Sequence, residues 1–329
     1  MINSIPQKSY KEFDTSRLEL ESLSKRKSDL SLLDIMVLDK PVAVNSAFSE
    51  VGKRILDASK MGSSVILMMG AHVIRDGVQR YLIDMMENGL ISCIAMNGAG
   101  VIHDYEFAIA GKTTESVATY IKKGQFGLWK ETGAINDIVT KGAMAKQGLG
   151  ESVGREIETN GYPNKEISLL ASAYRLGIPV TVHVGLGYDI VHQFPNCNGS
   201  AYGETSYRDF LRFVHAMESL EGGVVMNFGS SVMAPEVYLK ALSMVRNAAK
   251  QSNRTISKFT TLVCDLLDLP EDFTIEADKQ DPGYYFRPWK TMLVRTIEDG
   301  GKSFYVKGRH SETIPQLWAA TYSQGEKHD

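Results

Sequence analysis

The chain is poor in cysteine, carries no large excess of either charge and contains no apolar run near the ~20 residues needed to cross a bilayer. Its three cysteines, Cys93, Cys197 and Cys264, lack CxxC spacing. An odd, sparse set argues against a disulfide framework and suits a reducing cytosol. Cys93 and Cys264 lie inside apolar runs and read as buried small hydrophobes. Lysine plus arginine number 36 against 39 acidic residues, a formal net charge of −3, so nothing points to nucleic acid or an anionic membrane as partner. Short basic runs such as Ser24-Lys25-Arg26-Lys27 read as solvated stretches. The start, Met1-Ile2-Asn3-Ser4-Ile5-Pro6, has no basic residue followed by an apolar stretch, so no signal peptide is expected and the location reads as cytoplasmic. Also missing is the dinucleotide fingerprint GxGxxG: after Gly98 and Gly100, His103 stands where the third glycine would be.

What is present is an ordinary globular composition, 43% hydrophobic and 23% charged, in a chain long enough to bury a sizeable core. Residues 1–44 form a polar lead-in, its first 30 residues loose or partly helical, and residues 45–329 a single α/β domain. Val51, Ile55, Leu56 and Ala58 recur at helical spacing over 47–61. Residues 64–69 are a continuous apolar run ending at Gly70, which predicts a strand buried on both faces. A helix over 74–88 stops at Gly89, and a second strand over 91–96 ends in Asn97-Gly98-Ala99-Gly100. Residues 113–177 read as helices. Strands follow over 178–184, 224–228, 259–264, 292–294 and 303–306, with helices over 207–220, after Pro235 and over 314–321. Strands separated by helices imply a mostly parallel sheet with helices on both faces and all strand C-termini on one edge. The segment 265–287 is the longest irregular stretch, and long loops in compact domains are often functional.

Ligands of open α/β sheets bind outside the carboxyl ends of the strands. Four strands end in small residues: Gly70-Ala71-His72, Gly98-Ala99-Gly100, Gly185-Leu186-Gly187 and Gly229-Ser230-Ser231. Such turns let the backbone approach a phosphate ahead of a helix N-terminus. Of the seven histidines, His72, His103, His183 and His192 fall within a few positions of these ends, together with Asp104 and Asp189. Histidine with carboxylate suits proton transfer or metal ligation, with His72, His103 and His183 as the metal alternative, although no HExxH-type spacing occurs. Lys290 lies in Tyr284-Tyr285-Phe286-Arg287-Pro288-Trp289-Lys290, where aromatic neighbours and Arg287 could depress its pKa and make it a nucleophile.

Several of these residues resemble the deoxyhypusine synthase family, particularly its bacterial deoxyhypusine synthase-like members. The stretch Leu149-Gly150-Glu151-Ser152-Val153-Gly154-Arg155-Glu156-Ile157 through Ile178-Pro179-Val180 is similar to the one preceding their substrate-binding loop. Asn97-Gly98-Ala99-Gly100-Val101-Ile102-His103-Asp104 resembles their Thr-Ala-Gly-Gly-Val-Glu-Glu-Asp turn, and Phe228-Gly229-Ser230-Ser231-Val232 their Leu-Gly-Gly-Gly-Val turn. Thr313-Ile314-Pro315 through Thr321 resembles the closing helix, and Trp289-Lys290 sits near their Trp-Gly-Lys segment. The resemblance implies a Rossmann-like fold, a homotetramer, NAD as cofactor, and transfer of an aminobutyl group from a polyamine through a lysine imine. The family's acceptor is a lysine of translation initiation factor 5A, or a small amine in relatives.

On that resemblance Lys290 would be the nucleophile, with His103 and Asp104 handling protons. Gly70, Ala71, His72, Asn97, Gly98, Ala99, Gly100, Gly229, Ser230 and Ser231 would hold the cofactor, and Asp189, His192 and Trp289 the substrate. The chain departs from the family at Gly70-Ala71-His72, where the family has Thr-Ser-Asn, and at Ile102-His103, where it has Glu-Glu. Ala234-Pro235-Glu236 replaces Lys-His-His, and Arg309-His310 replaces Asp-Ala. Two other readings stay open: a metal-dependent hydrolase of a small amine on the same fold, and a relative that binds a ligand without turning it over.

Overall fold

The computed structural model describes residues 10–41 and 43–322; the Met1–Pro6 start read for targeting signals lies outside the described residues. Its strands are β1 (Ser28–Ser31), β2 (Val65–Met69), β3 (Cys93–Met96), β4 (Lys112–Glu115), β5 (Val180–Val182), β6 (Val224–Phe228), β7 (Thr260–Asp265) and β8 (Lys302–Lys307). The helices are α1 (Ser46–Met61), α2 (His72–Arg75), α3 (Gln79–Glu87), α4 (Gly98–Ala110), α5 (Val117–Ile121), α6 (Lys130–Met144), α7 (Leu149–Thr159), α8 (Leu169–Leu176), α9 (Gly199–Met217), α10 (Met233–Gln251) and α11 (His310–Tyr322).

Six strands form one parallel sheet in the order β5-β3-β2-β6-β7-β8. The fold is therefore α/β and Rossmann-like, with helices on both faces. Alternation within one strand builds the two layers: Val65, Leu67 and Met69 join a core with α1, α3, α4, α7, α8 and α11, whereas Ile66 and Met68 join one with α9 and α10. Both faces are covered, which is why these strands read as continuous apolar runs instead of alternating ones. Cys93 and Cys264 are buried and unpaired, as their apolar surroundings suggest.

Three stretches differ from expectation. Met292-Leu293-Val294 belongs to a π-helix, Trp289–Arg295, on the crossover between β7 and β8. A short apolar run cannot by its pattern distinguish a buried strand from a buried helical segment. Residues 113–115, expected within helical sequence, belong to β4, which pairs antiparallel with β1, Leu30 opposite Thr113. This ribbon is mostly polar, so no hydrophobic period announces it. The lead-in is also ordered against the domain: Arg26, from the basic run expected in solvent, is 4% exposed and pairs with buried Glu106.

Candidate functional site

Counted along the chain, the six parallel strands lie in the order 3-2-1-4-5-6, so the direction of winding reverses between β2 and β6. At such a switch point the helices leave in opposite directions and open a crevice at the carboxyl ends. Gly70 and Gly229 meet there. The Gly70 N–H donates to the Phe228 carbonyl at 2.9 Å, and a Cβ on Gly70 would stand 2.5 Å from the Gly229 carbonyl oxygen. No side chain fits at 70 without moving backbone. Gly229 itself has φ +66°, a conformation that favours glycine.

The crevice is a cavity of about 610 Å³, lined by Gly70, Ala71, His72, Asn97, Ala99, Gly229, Ser230 and Ser231 of the expected cofactor set, and also by His103, His183 and Asp189. Gly98 and Gly100 do not line it; they form the first turn of α4, where Asn97 accepts the Gly100 N–H. A second cavity, about 320 Å³, continues across the switch point and shares His72, Gly229 and Ser231. A third, about 270 Å³, shares Arg75, Ala99, His103, Tyr188 and Asp189 and runs towards Arg26 and Glu106.

The polar groups of the crevice are of three kinds. His183 is buried at the end of β5 within 3.1 Å of the Thr181 hydroxyl, and burial pushes its pKa down to about 4. His72 stands at the open rim of the crevice; its Nε2 accepts from Arg75 Nη1 at 3.0 Å, and partial desolvation of the ring, with the Arg75 charge beside it, lowers its pKa. His103 lies 2.8 Å from the Thr113 hydroxyl through Nδ1, and burial takes it to about 4. Asp189 lies against Gly98 at the N-terminus of α4 and accepts the Ala99 N–H; burial raises its pKa to about 6, and that hydrogen bond opposes the rise. A carboxylate thus already holds the place where this helix would take an anion.

Other expected site residues have structural surroundings. Asp104 is 1% exposed and caps α8: it accepts from Ser168 Oγ at 2.5 Å, Leu169 N at 2.8 Å and Leu170 N at 3.2 Å. Burial raises it to about 6 against those bonds. His192 Nδ1 accepts the Gly187 and Asp189 N–H groups, each at 3.2 Å, and so braces the turn that carries Asp189. Trp289 Nε1 donates to the Phe273 carbonyl at 2.8 Å. Lys290 is buried with its Nζ 3.6 Å from the centroid of the Tyr284 ring, a cation–π contact. Trp289, Lys290, His192 and Asp104 do not line the three cavities, and among the described residues no lysine does. His72, His103 and His183 share one cavity, but among the described residues no three His, Cys, Asp or Glu side chains converge as a metal-ligand set.

Sequence reasoning missed Arg75, and it met Glu236 and His310 only as departures from the family's Lys-His-His and Asp-Ala, not as site residues. Arg75 stands one helical turn after His72 and, among the described residues, has no carboxylate ion pair; Glu236 lines the same cavity in the first turn of α10 and pairs with Arg287 and Lys240. His310 is 7% exposed, lies against Gly229 and, among the described residues, has no partner for Nδ1. Gly308 after β8 was the available signal for it, since this strand too ends in a glycine turn.

No family model and no curated protein matches the chain. Solved structures do. A conserved protein assigned to LOR/SDH from Methanococcus maripaludis S2 is similar with a TM-score of 0.50 and 15% identity, over 88% of this chain and 72% of its own. A mutant of AgrE bound to L-arginine is similar with a TM-score of 0.53 and 13% identity, over 86% of this chain and 34% of its own. A protein assigned as a deoxyhypusine synthase from Entamoeba histolytica has a TM-score of 0.47 and 10% identity, over 84% of this chain and 88% of its own. The chain spans about a third of AgrE's length. Among the first two the likeness is one of fold. No helix among the described residues is long and apolar enough to cross a membrane.

Proposed function

We propose that this chain is an enzyme of deoxyhypusine synthase-like fold that binds a nicotinamide dinucleotide across the switch point and a small amine beside His103 and Asp189. The observation that carries this reading is the meeting of Gly70 and Gly229 at the floor of a crevice onto which His103 and Asp189 also open. Bare backbone at both turns lets a pyrophosphate approach closely, and two adjoining cavities on either side of the turns suit the two halves of a dinucleotide. Ser230 and Ser231, ahead of the 19-residue helix α10, and the guanidinium of Arg75, which has no carboxylate ion pair among the described residues, would hold the phosphates. Such a cofactor supplies a hydride acceptor when bound. Asp189 would pair with the ammonium group of the amine, and neutral His103 would accept a proton from it.

The transfer through a lysine imine that the resemblance implies is not part of this reading. It would call on Lys290, whose amine rests on the Tyr284 ring outside the three cavities. The reaction proposed here is the oxidation of the amine, with a polyamine as the first substrate to try. Native mass spectrometry of the purified chain with and without NAD, NADP and spermidine tests it. A dinucleotide mass on the wild type, lost in Gly70→Ala, supports the reading. No dinucleotide mass at millimolar NAD or NADP rejects it.

A further inference from the structure

The buried pair between Arg26 and Glu106 has no part in the function above, and its hydrogen bonds can be followed proton by proton. Arg26 Nη1 and Nη2 donate to the two carboxylate oxygens of Glu106, each at 2.8 Å. A bidentate guanidinium pairs with an ionised carboxylate, which has lone pairs and no proton to give. Thr132 Oγ1 therefore donates to Oε1 at 2.6 Å, and Thr113 Oγ1 donates to Oε2 at 2.6 Å. A hydroxyl has one proton, and Thr113 has now committed it. His103 Nδ1, 2.8 Å from the same hydroxyl oxygen, can only be a donor.

We propose that Thr113, with Glu106 and Arg26 behind it, is a positioning residue that fixes His103 as the Nδ1–H tautomer, so that the ring offers Nε2 to the cavity as a hydrogen-bond and proton acceptor. The arrangement has the logic of a third group orienting a catalytic base, built here from a threonine and an ion pair. His103 Nε2 has no protein partner among the described residues and is not a closed-off buried atom, while the ring lines two of the cavities. Burial keeps the ring neutral; Glu106 acts against this, and Arg75, Arg26 and His72 reinforce it. Backbone geometry adds a second sign of constraint. Thr114, next to Thr113 and lining the same cavity as Arg26 and Glu106, has φ +61°, in the left-handed region that a β-branched residue avoids unless its surroundings impose it.

The tautomer stands apart from the proposed function; only the identity of the proton that Nε2 accepts rests on it. The test is nitrogen-15 NMR of the full chain labelled at histidine, at pH 7.5, with His103 assigned through His103→Gln. The expected spectrum has a protonated, pyrrole-type Nδ1 and an unprotonated, pyridine-type Nε2 at His103. Thr113→Val, nearly isosteric, should shift the ring to mixed or reversed tautomers, and Thr113→Ser should restore the wild-type pattern. An Nε2–H tautomer in the wild-type protein overturns the proposal, and this measurement needs no variant to fold. A Thr113→Val protein that keeps the fixed Nδ1–H pattern overturns it as well. The predicted pattern in a chain that binds no dinucleotide supports the tautomer and rejects the function.

Discussion

His103 and Asp104 are neighbours on α4, yet their surroundings differ in kind. Asp104 turns towards α8, where a hydroxyl and two backbone N–H groups donate to its carboxyl at once. His103 turns towards the cavity, where one nitrogen is tied to Thr113 and the other has no protein partner among the described residues. Both are polar, both are near a strand end, and both resemble active-site residues. The difference is saturation. A buried polar group whose hydrogen-bonding capacity is met by helix ends stabilises the fold. One that keeps an open atom facing a cavity is available for chemistry.

Two substitutions test the stabilising networks and carry the largest expected effects. Glu106→Gln leaves the Arg26 guanidinium buried without its counter-charge, which should cost about 3–5 kcal/mol in denaturant unfolding. Asp104→Ala strips the cap of α8 and leaves a hydroxyl and two N–H groups unmet, an expected loss of about 2–4 kcal/mol. The folded fraction of Asp104→Ala should bind dinucleotide as the wild type does. If its affinity falls as much as its stability, Asp104 belongs to the site and the comparison fails.

The crevice comes next. In Gly70→Ala the added methyl meets the Gly229 carbonyl, for an expected cost of about 1–3 kcal/mol, together with loss of dinucleotide binding in titration calorimetry. Acid adds a further contrast. His183 titrates at about 4 in the fold, below its ordinary 6.5, because it is buried. Between those values the unfolded chain binds the proton that the folded chain refuses, so the stability His183 contributes is full above about pH 6.5 and fades as pH falls towards 4. At pH 5 that loss is about 2 kcal/mol. Urea midpoints at pH 7.5 and pH 5 should therefore show the deficit of His183→Asn shrinking by that amount at pH 5. Asp104, raised by burial to about 6, acts in the opposite sense: the stability it gives is present below its unfolded pKa and lost as pH rises through the folded one. The smallest effect belongs to Lys290→Met, which keeps the buried methylenes and removes one cation–π contact, about 1 kcal/mol. Dinucleotide affinity should not change; a tenfold loss would return Lys290 to the site.

Much of the frame was legible. Continuous apolar runs ending in glycine turns located β2, β3, β5 and β6, an apolar run without such a turn located β7, and the rule that ligands sit at strand C-termini placed Gly70, Gly229, His72, His103 and His183 around one crevice before any contact was known. The unseen elements lacked a period to read. β4 is a polar ribbon strand, and the π-helix of 289–295 is a short apolar run with the same composition as a strand. Arg26 looked like part of a solvated basic run because charge in sequence says nothing about a carboxylate 80 positions away.

The sequence by itself determined the layers, the parallel sheet and the edge that carries the polar residues, because those follow from local hydrophobic periodicity and the handedness of the chain. Only the tertiary structure decided which of the polar residues are spent and which are open. That choice depends on a rotation of about 100° between successive helix positions and on partners far away in sequence: Ser168 and α8 for Asp104, Thr113 and the Glu106–Arg26 pair for His103.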